Sequence, residues 1–340
     1  MSVASSQSSL SAKAILAERL VNLPGMSAVE ELIRSKFESD SSSLQEIPEY
    51  LFALGGKRMR PMLTLLSAAA LGMRTPSPRL IEIAAGIELI HMATLLHDDI
   101  IDKSPIRRHK QSAFLKYGVP NTLLAGDFLL VRAFSLCARL DRHIIDATEQ
   151  ACVELTEGEI EEIPLFRAHL NVTEVLEIAR KKTAALFRLA AESAAFLAVG
   201  KEPVLNCFLE FGEKLGVAFQ ILDDVLDVIS TEDLLGKKAG QDLLERKPSV
   251  VNVLWLESGS ELSKRLLTEP QLEGEDLFVA KALAELRHGE TIQRARALAI
   301  KYAREAESAL DAGLAQAPNK DKAYSTALYA LIRYTTERLE

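Results

Sequence analysis

Apolar residues recur three or four positions apart along most of the chain, which is the spacing of α-helices that bury one face. No stretch shows the strict alternation of a half-buried strand. Prolines, glycines and short polar runs interrupt the pattern. The segments between them predict helices over residues 11–37 (with a break at 22–25), from 47 to 54, 62–71, from 80 to before Pro105, from 119 onward, before Pro164, from 171 to 199, after Pro203, and from 250 to the end.

The pattern predicts one all-α domain. With 17 glycines and 12 prolines in 340 residues, helix breakers are scarcer than usual, and no repeat or composition shift marks a domain boundary. An apolar content of 48% is enough for a large core. Residues 1–10 are predicted to be disordered and residues 11–340 to form a single large helical bundle.

Composition and charge narrow the possible functions. A net charge of −8 disfavours general attraction to nucleic acid, so an anionic ligand would need local basic groups or metal ions. The richest apolar run, residues 81–96, contains Glu82, Glu88 and His91, and no membrane-spanning segment is predicted. Three scattered cysteines indicate small buried side chains in a reducing, cytoplasmic compartment: Cys137, Cys152 and Cys207.

Two aspartate-rich motifs lie inside otherwise apolar helical segments. In the first, Asp98 and Asp102 are one helical turn apart on one face, and Asp99 follows Asp98. One such motif is ordinarily a solvated helix face, but two copies among apolar residues indicate a site for several hard divalent cations, such as Mg²⁺ bound with substrate phosphates. The second motif repeats the spacing at Asp223, Asp224 and Asp227.

A basic turn precedes another predicted helix. Gly55-Gly56 opens a tight turn, Lys57 and Arg60 follow, and Pro61 suits the first turn of a helix. Backbone N–H groups at that helix start, together with Lys57 and Arg60, predict a site for a phosphate-like anion. A basic turn is more often a solvated loop, but here it directly precedes a helix of the buried type.

These motifs together resemble those of the trans-isoprenyl diphosphate synthases, most closely the long-chain polyprenyl branch. The match spans roughly residues 50–255. Two aspartate-rich motifs with the basic turn separate these synthases from terpene cyclases with a single motif. The shared motifs are, in order, Gly-Gly-Lys-Arg-Met-Arg-Pro, His-Asp-Asp-Ile-Ile-Asp, Arg-Arg, Gly-Asp-Phe-Leu-Leu, Lys-Thr-Ala, Phe-Gln-Ile-Leu-Asp-Asp-Val-Leu-Asp and Leu-Gly-Lys.

The resemblance implies a helical fold with a central cavity, usually in a homodimer, that joins isopentenyl diphosphate to an allylic diphosphate. It implies about three Mg²⁺ ions when substrate is bound. The residues expected to hold them are Asp98, Asp102 and Asp223, with Asp99, Asp224 and Asp227 beside them. Expected around the allylic diphosphate are Arg107, Lys182, Thr183, Gln220, Lys237 and Lys247, with Lys182 and Gln220 counted as catalytic along with the six aspartates. Expected around isopentenyl diphosphate are Lys57, Arg60, His91 and Arg108.

The implied chemistry agrees with the residue types. Metal ions and cationic side chains stabilise a departing diphosphate, and the double bond of the second substrate attacks the allylic cation, after which a proton is lost. An apolar cavity keeps water from the cation. No Ser, Cys or His is arranged as a nucleophile. One position and one segment depart from the family pattern. His109 stands where glycine is usual, and Arg-Lys-Pro-Ser-Val-Val at residues 246–251 stands where Gly-Lys-Pro-Thr-Leu-Pro is usual, so the role of Lys247 is less firmly implied than that of Lys237.

Product length is expected to depend on Ala93 and Thr94, which precede the first aspartate motif by about one turn. The helical wheel points to Thr94 first, and the resemblance assigns both positions to the floor of the tunnel for the growing chain. Both residues are small, so we expect a product of about C30 or longer, because a phenyl ring in a close-packed wall is what shortens such a tunnel. Deeper residues expected to end the tunnel are Ile87, Leu130 and Phe134.

Three alternatives remain at this point. The chain could be a short-chain synthase that makes a C15 or C20 product, a non-catalytic subunit of a heterodimeric synthase, or a terpene cyclase. Non-catalytic subunits usually lose aspartates, and this chain retains all six. A cyclase would leave the second aspartate motif and the basic turn unexplained. Release of a long product predicts peripheral contact with a membrane.

Overall fold

The structure is a computed structural model that describes residues 23–163, 170–230, 239–269 and 275–337. Helices dominate these ranges and confirm the all-α class. The predicted disorder of residues 1–10 and the predicted helix before residue 22 lie outside the described residues. The domain boundary placed at residue 10 stays a prediction.

Sixteen α-helices are numbered here in chain order over the described residues. The first eight are α1 (Met26–Ser35), α2 (Ser42–Ala53), α3 (Met59–Ala70), α4 (Pro78–Ile101), α5 (Ala113–Tyr117), α6 (Val119–Cys137), α7 (Arg142–Glu162) and α8 (Val172–Ala179). The remainder are α9 (Ala185–Ala198), α10 (Glu202–Ile229), α11 (Gln241–Leu244), α12 (Val250–Glu257), α13 (Glu261–Thr268), α14 (Glu275–His288), α15 (Glu290–Gln316) and α16 (Lys322–Glu337).

Two long helices, α4 and α10, carry the aspartate motifs and lie at the centre of the helical packing. Helix α4 packs along α6 and also contacts α1, α3 and α9, while α10 packs along α15 and α9. Both helices have many buried residues, and α9 is buried over nearly its whole length. The carboxylates of both motifs therefore extend from rigid, buried elements.

The ends of α4 differ slightly from the prediction. The helix begins at Pro78, because the Ser77 hydroxyl caps it by accepting a hydrogen bond from the Leu80 N–H at 3.2 Å. It ends at Ile101, before Pro105, and Asp102 is the C-terminal cap. The first aspartate motif thus occupies the last turn of α4 and its C-terminal cap.

A π-helical turn over Arg180–Ala184 joins α8 to α9, where the sequence predicts a continuous helix. The predicted cap of α8 is confirmed, since Asn171 and Glu174 form a reciprocal capping box. Helix α7 approaches the π-helical turn closely at Gly158, where an added Cβ would lie 2.7 Å from the backbone nitrogen of Lys182. Because Gly158 has no side chain, α7 can lie close enough to the π-helical turn for neighbouring α7 side chains to reach Lys182.

A small hairpin corrects the expectation that the chain has no strands. Ile106–Arg107 (β1) pairs antiparallel with Lys110–Gln111 (β2). Strands of two residues are too short to produce a visible alternation. The turn residues Arg108 and His109 have φ values of 51° and 63°, as a type I′ hairpin requires. His109 therefore adopts the left-handed conformation for which glycine is the usual residue.

Helices α4 and α6 are long and apolar enough to cross a membrane by length and composition. In α4, 67% of the apolar window is buried inside the protein, and the corresponding value in α6 is 33%. The core helix of a bundle meets the same criteria, so this finding does not show a membrane crossing.

Candidate functional site

A cavity of about 560 Å³, here called the main cavity, lies between the start of α3 and helices α4, α7 and α10. Its wall combines cations, carboxylates and a few apolar side chains. The residues that line it are Gly56, Lys57, Arg58, Met59, Arg60, Glu88, His91, Thr94, Asp98, Arg108, Leu155, Glu159, Lys182, Thr183, Phe219, Gln220 and Asp223. Ten residues predicted from sequence are in this set.

A second cavity of about 150 Å³, here called the side cavity, adjoins the first. The two share Asp98, Lys182, Thr183 and Gln220. The side cavity adds four more predicted residues, which are Asp102, Arg107, Asp224 and Lys247. Fourteen of the predicted residues, distant in sequence, therefore surround one continuous region.

The three aspartates of the first motif have different surroundings. Asp98 faces both cavities. Asp99 is only 1% exposed, and its Oδ1 accepts hydrogen bonds from Arg107 Nη2 at 2.6 Å and Nε at 2.7 Å. Lys247 Nζ donates to Asp102 Oδ2 at 2.9 Å. Asp98 and Asp102 thus face the cavities, and the paired Asp99 orients Arg107.

The second motif divides in the same way. Asp223 lines the main cavity. The carboxylate of Asp224 accepts from Gln220 Nε2 and from the backbone N–H of Val250, both at 2.8 Å. Asp227 Oδ2 accepts from the backbone N–H of Asp242 at 3.1 Å. Asp224 and Asp227 therefore tie α10 to the segments that follow it.

Burial makes ionised carboxylates costly in this region. It raises the pKa of Asp98 to about 7, with Glu159 and Asp102 adding to the rise and Lys182 opposing it. Burial likewise raises the pKa of Asp224 to about 7. Cations brought among these carboxylates would relieve the cost.

The donors present at the aspartate motifs suit Mg²⁺. Asp98, Asp102 and Asp223 offer hard oxygen ligands that face the cavities. Over residues 23–163, 170–230, 239–269 and 275–337, no three His, Cys, Asp or Glu side chains already form a group that could hold a metal ion. Such carboxylates fit ions that take their remaining ligands from a bound diphosphate and water.

Another part of the wall of the main cavity is cationic. Lys57, Arg58, Arg60 and Arg108, here called the basic cluster, all line it. Gly56 has a φ of 146°, and an added Cβ would lie 2.8 Å from Arg108 Nη1, so glycine permits that guanidinium to approach the turn. In the described chain, the buried Nε of Arg60 has no hydrogen-bond partner. An anion between these side chains would supply one.

His91 lies beside the basic cluster and is kept neutral. Burial lowers its pKa well below the ordinary value, and the positive charges of Arg60, Arg107, Arg108 and Arg58 lower it further. A neutral imidazole adds no charge to the cluster and can still donate one hydrogen bond.

The π-helical turn brings Lys182 and Thr183 to the junction of the two cavities. Lys182 Nζ lies 2.8 Å from Glu159 Oε2 and also contacts Glu162. Thr183 Oγ1 donates to Gln220 Oε1 at 2.5 Å. Because Gln220 in turn donates to Asp224, a chain of hydrogen bonds connects the π-helical turn to the second motif.

Several site residues were missed by the sequence reasoning. Glu159 and Glu162 extend from α7 and contact Lys182. The sequence signal for them was that the two glutamates follow Gly158 and are three residues apart, which places them on one helix face. Glu88 lines the main cavity although the sequence analysis treats it only as an interruption of an apolar run. Lys57 Nζ lies 5.2 Å from the ring centre of Tyr334 on α16, a contact that no local motif indicates.

Some predicted residues lie outside both cavities. Ala93, unlike its neighbour Thr94, is 0% exposed within the hydrophobic core and is not part of the cavity wall. Phe134 lies on the outer surface of α6, where it lines a separate groove. Lys237 lies outside the described residues.

Comparison with known proteins shows the family to which the chain belongs. The sequence profile of the Polyprenyl synthetase family matches residues 41–284. The chain is 34% identical over 291 residues to the short chain isoprenyl diphosphate synthase of Methanothermobacter thermautotrophicus, with 84% of this chain and 89% of that protein covered. It is 32% identical over 316 residues to the all-trans-nonaprenyl-diphosphate synthase (geranyl-diphosphate specific) of Rhodobacter capsulatus, with 92% and 94% covered.

Solved structures give the same result. The crystal structure of polyprenyl synthase from Caulobacter crescentus CB15 complexed with calcium and isoprenyl diphosphate matches with a TM-score of 0.87 at 30% identity. The match covers 97% of this chain and 98% of that one. The chain therefore belongs to the polyprenyl synthetase family and is a trans-prenyltransferase, a prenyl diphosphate synthase.

Proposed function

We propose that the protein condenses isopentenyl diphosphate with an allylic diphosphate, in a Mg²⁺-dependent reaction, to make an all-trans polyprenyl diphosphate of about C30 or longer. The observation that carries the proposal is that two aspartate motifs and a basic cluster face one cavity whose wall between them is small or apolar. The cavity thus offers two distinct positions for a diphosphate, one that requires metal ions and one that is already cationic.

The basic cluster suits isopentenyl diphosphate. Lys57, Arg60 and Arg108 supply positive charge, and neutral His91 supplies a hydrogen bond to the same region. This substrate does not lose its diphosphate, so no metal ion is needed to assist a leaving group there. The cluster's task is to hold the double bond toward the aspartate motifs.

The aspartate motifs suit the allylic diphosphate. When bound through Asp98, Asp102 and Asp223, Mg²⁺ would neutralise negative charge that builds up on the leaving diphosphate. Lys182 and Lys247 add fixed positive charge, and Thr183 and Gln220 offer hydrogen-bonding groups. A further set of expected contacts comes from Arg107 and Lys237. Three ions in total remain part of the proposal.

The apolar wall has a chemical purpose as well. Leu155 and Phe219 contribute apolar side chains to the wall of the main cavity. They would exclude water from the allylic cation, which would otherwise be hydrolysed. The proton lost on forming the new double bond would pass to the departed diphosphate. Among the other bases of the described wall, Glu88 is paired with Arg58, Glu159 is paired with Lys182, Asp98 and Asp223 would hold metal ions, and the pKa of His91 lies well below its ordinary value.

The outer face of α6 and α7 supports a homodimer. It exposes large apolar side chains, among them Leu123, Leu124, Val131, Phe134, Val153 and Ile160. An apolar surface of this kind is typical of a subunit interface.

We also infer that the enzyme is cytoplasmic and that it contacts a membrane peripherally during product release. Cell fractionation would test the localisation, and flotation with lipid vesicles would test the membrane contact.

Activity should require Mg²⁺ and both aspartate motifs. Asp98→Ala or Asp223→Ala removes a metal ligand and should lower kcat by about a hundredfold or more. The rate is measured with labelled isopentenyl diphosphate and an allylic primer at saturating Mg²⁺. Near-wild-type turnover in either variant would contradict the metal assignment, and Asp40→Ala, a change at an exposed position outside the site, serves as the control.

The basic cluster should serve the second substrate. Arg60→Ala removes a charge-assisted contact and should raise KM for isopentenyl diphosphate by about tenfold or more, with a smaller change in KM for the allylic primer. Steady-state kinetics with each substrate varied in turn gives both values. An effect confined to the allylic primer would reverse the assignment of the two positions.

Product length should depend on the cavity wall at Thr94. Its hydroxyl already donates to the His91 carbonyl at 2.9 Å, so the side chain presents a small surface to the cavity. Thr94→Phe, alone or with Ala93→Phe, should shorten the main product toward C15 or C20 and leave the first condensation largely intact. Chromatography of the products checks this. Wild-type products of only C15 or C20 would instead identify a short-chain synthase.

The apolar face of α6 should hold two copies together. Val131 is 65% exposed and Leu124 is 56% exposed. A Leu124→Glu and Val131→Glu double variant should halve the mass seen by light scattering, because buried unpaired charge opposes association. Leu277→Glu, at a residue that is 59% exposed on α14, is the matched control and should leave the mass unchanged. A monomeric wild type would refute the dimer.

A further inference from the structure

Glu88 is a buried carboxylate in the cationic part of the main cavity. It lies on α4 one turn before His91 and is 3% exposed. Its Oε1 accepts a hydrogen bond from Arg58 Nη1 at 3.1 Å. Within the described chain, its buried Oε2 has no hydrogen-bond partner. A buried carboxylate with one unused oxygen costs stability, and packing alone does not account for it.

The charge of Glu88 acts on the three arginines of the basic cluster. Burial lowers the pKa of Arg60 to about 10, and the negative charges of Glu88 and, to a smaller extent, Asp223 oppose that change. Burial also lowers the pKa of Arg108, again with Glu88 in opposition. One negative charge is therefore shared among three guanidinium groups, counting Arg58, and it reduces the positive potential that a diphosphate would meet.

Glu88 is not required simply to hold Arg58 in place. Arg58 Nη2 donates to the Phe52 carbonyl at 3.2 Å, and the guanidinium carbon lies 3.9 Å from the Phe52 ring centre. Arg58 Nε also lies 3.8 Å from Glu30 Oε1. With these other contacts, Arg58 would remain in position if Glu88 lost its charge but kept its shape.

The reaction under Proposed function, on which this inference rests, demands movement of the diphosphate. In each condensation the allylic C–O bond breaks and its electron pair leaves with that diphosphate. The π electrons of isopentenyl diphosphate form the new C–C bond, and a proton passes to the departed diphosphate. The C–O bond of isopentenyl diphosphate stays intact, so the elongated product ends with its diphosphate at the basic cluster.

A second condensation requires that diphosphate at the aspartate motifs instead. His91 and Asp98 are two turns apart on α4, which corresponds to about 10 Å. The basic cluster must therefore release the diphosphate once per cycle. A cluster without a counter-charge would bind the diphosphate more tightly before and after the reaction, which lowers KM without raising kcat.

We propose that Glu88 is a positioning residue that acts through Arg58, Arg60 and Arg108 to weaken their hold on a diphosphate, so that the elongated product transfers to the aspartate motifs. Its role is in repeated elongation and not in a single condensation. The carboxylate thereby helps set how many isoprene units are added before the product leaves.

The test compares Glu88→Gln with the wild type and with Glu30→Gln. Both substitutions remove a carboxylate that lies near Arg58, but only Glu88 lines the main cavity. Calorimetry measures the affinity for inorganic pyrophosphate without Mg²⁺ or primer, and kinetics and chromatography give KM, kcat and product lengths. Glu88→Gln should bind pyrophosphate and isopentenyl diphosphate about fivefold more tightly, lower kcat and accumulate the product of one condensation. Glu30→Gln should match the wild type.

The opposite results would overturn the proposal. These are weaker or unchanged pyrophosphate binding in Glu88→Gln, an unchanged product distribution, or an equal effect of Glu30→Gln.

If a melting curve shows that Glu88→Gln is not folded, Glu88→Asp replaces it, because a shorter side chain moves the charge away from the arginines. It should shift binding and product length in the same direction by a smaller factor, and wild-type values would refute the role. A wild type that does not consume isopentenyl diphosphate would refute the proposed function itself, whereas the pyrophosphate affinities are independent of turnover.

Discussion

The concentration of like charges in one partly buried space is the constraint on which the rest of the structure depends. At one end, Asp98, Asp102 and Asp223 face the cavities with Glu159 and Glu162 close by, and burial raises the pKa of Asp98 to about 7. At the other end, four cations of the basic cluster face the same space. Each group would be stabilised by a ligand of opposite charge. Metal ions with one diphosphate would neutralise the carboxylates, and a second diphosphate would neutralise the basic cluster.

Rigid helices keep these two groups apart. Helix α4 carries Glu88 and His91 near the basic cluster, Thr94 in the wall, and Asp98 at its C-terminal turn. One helix thus sets the spacing between the two diphosphate positions, which a 1.5 Å rise per residue fixes at roughly 10 Å from His91 to Asp98. Three cations of the basic cluster, Lys57, Arg58 and Arg108, lie on turns, and contacts with the helices hold them, such as the ion pair of Arg58 with Glu88 on α4 at 3.1 Å.

The paired aspartates show how a repeated motif is divided between two tasks. Asp99 is held by Arg107, and Asp224 is held by Gln220 and the Val250 N–H. These pairs satisfy two buried carboxylates, of which Asp99 lines neither cavity and Asp224 lines only the side cavity. They also position groups that do, because Arg107 and Gln220 each line a cavity. Identical residues in one motif therefore differ in role because of what lies opposite each side chain.

The sequence alone determined the helical class, the two aspartate motifs, the basic turn and the expectation that they meet. Helical periodicity, the scarcity of Gly and Pro, and carboxylates within apolar segments are local properties, so they can be read without coordinates. Helix starts with a local cap, such as Asn171 with Glu174, were equally readable.

Only the tertiary structure decided which aspartates face the cavity, that Lys182 sits on a π-helical turn, and that Glu88, Glu159 and Glu162 belong to the site. It also placed Thr94 in the cavity wall and Ala93 in the core, although the two are neighbours in the chain. The physical reason is that a side chain's partner and burial depend on packing between elements distant in sequence, as when Lys247 meets Asp102 or Gly158 meets Lys182. Such contacts leave no periodic signal in the chain.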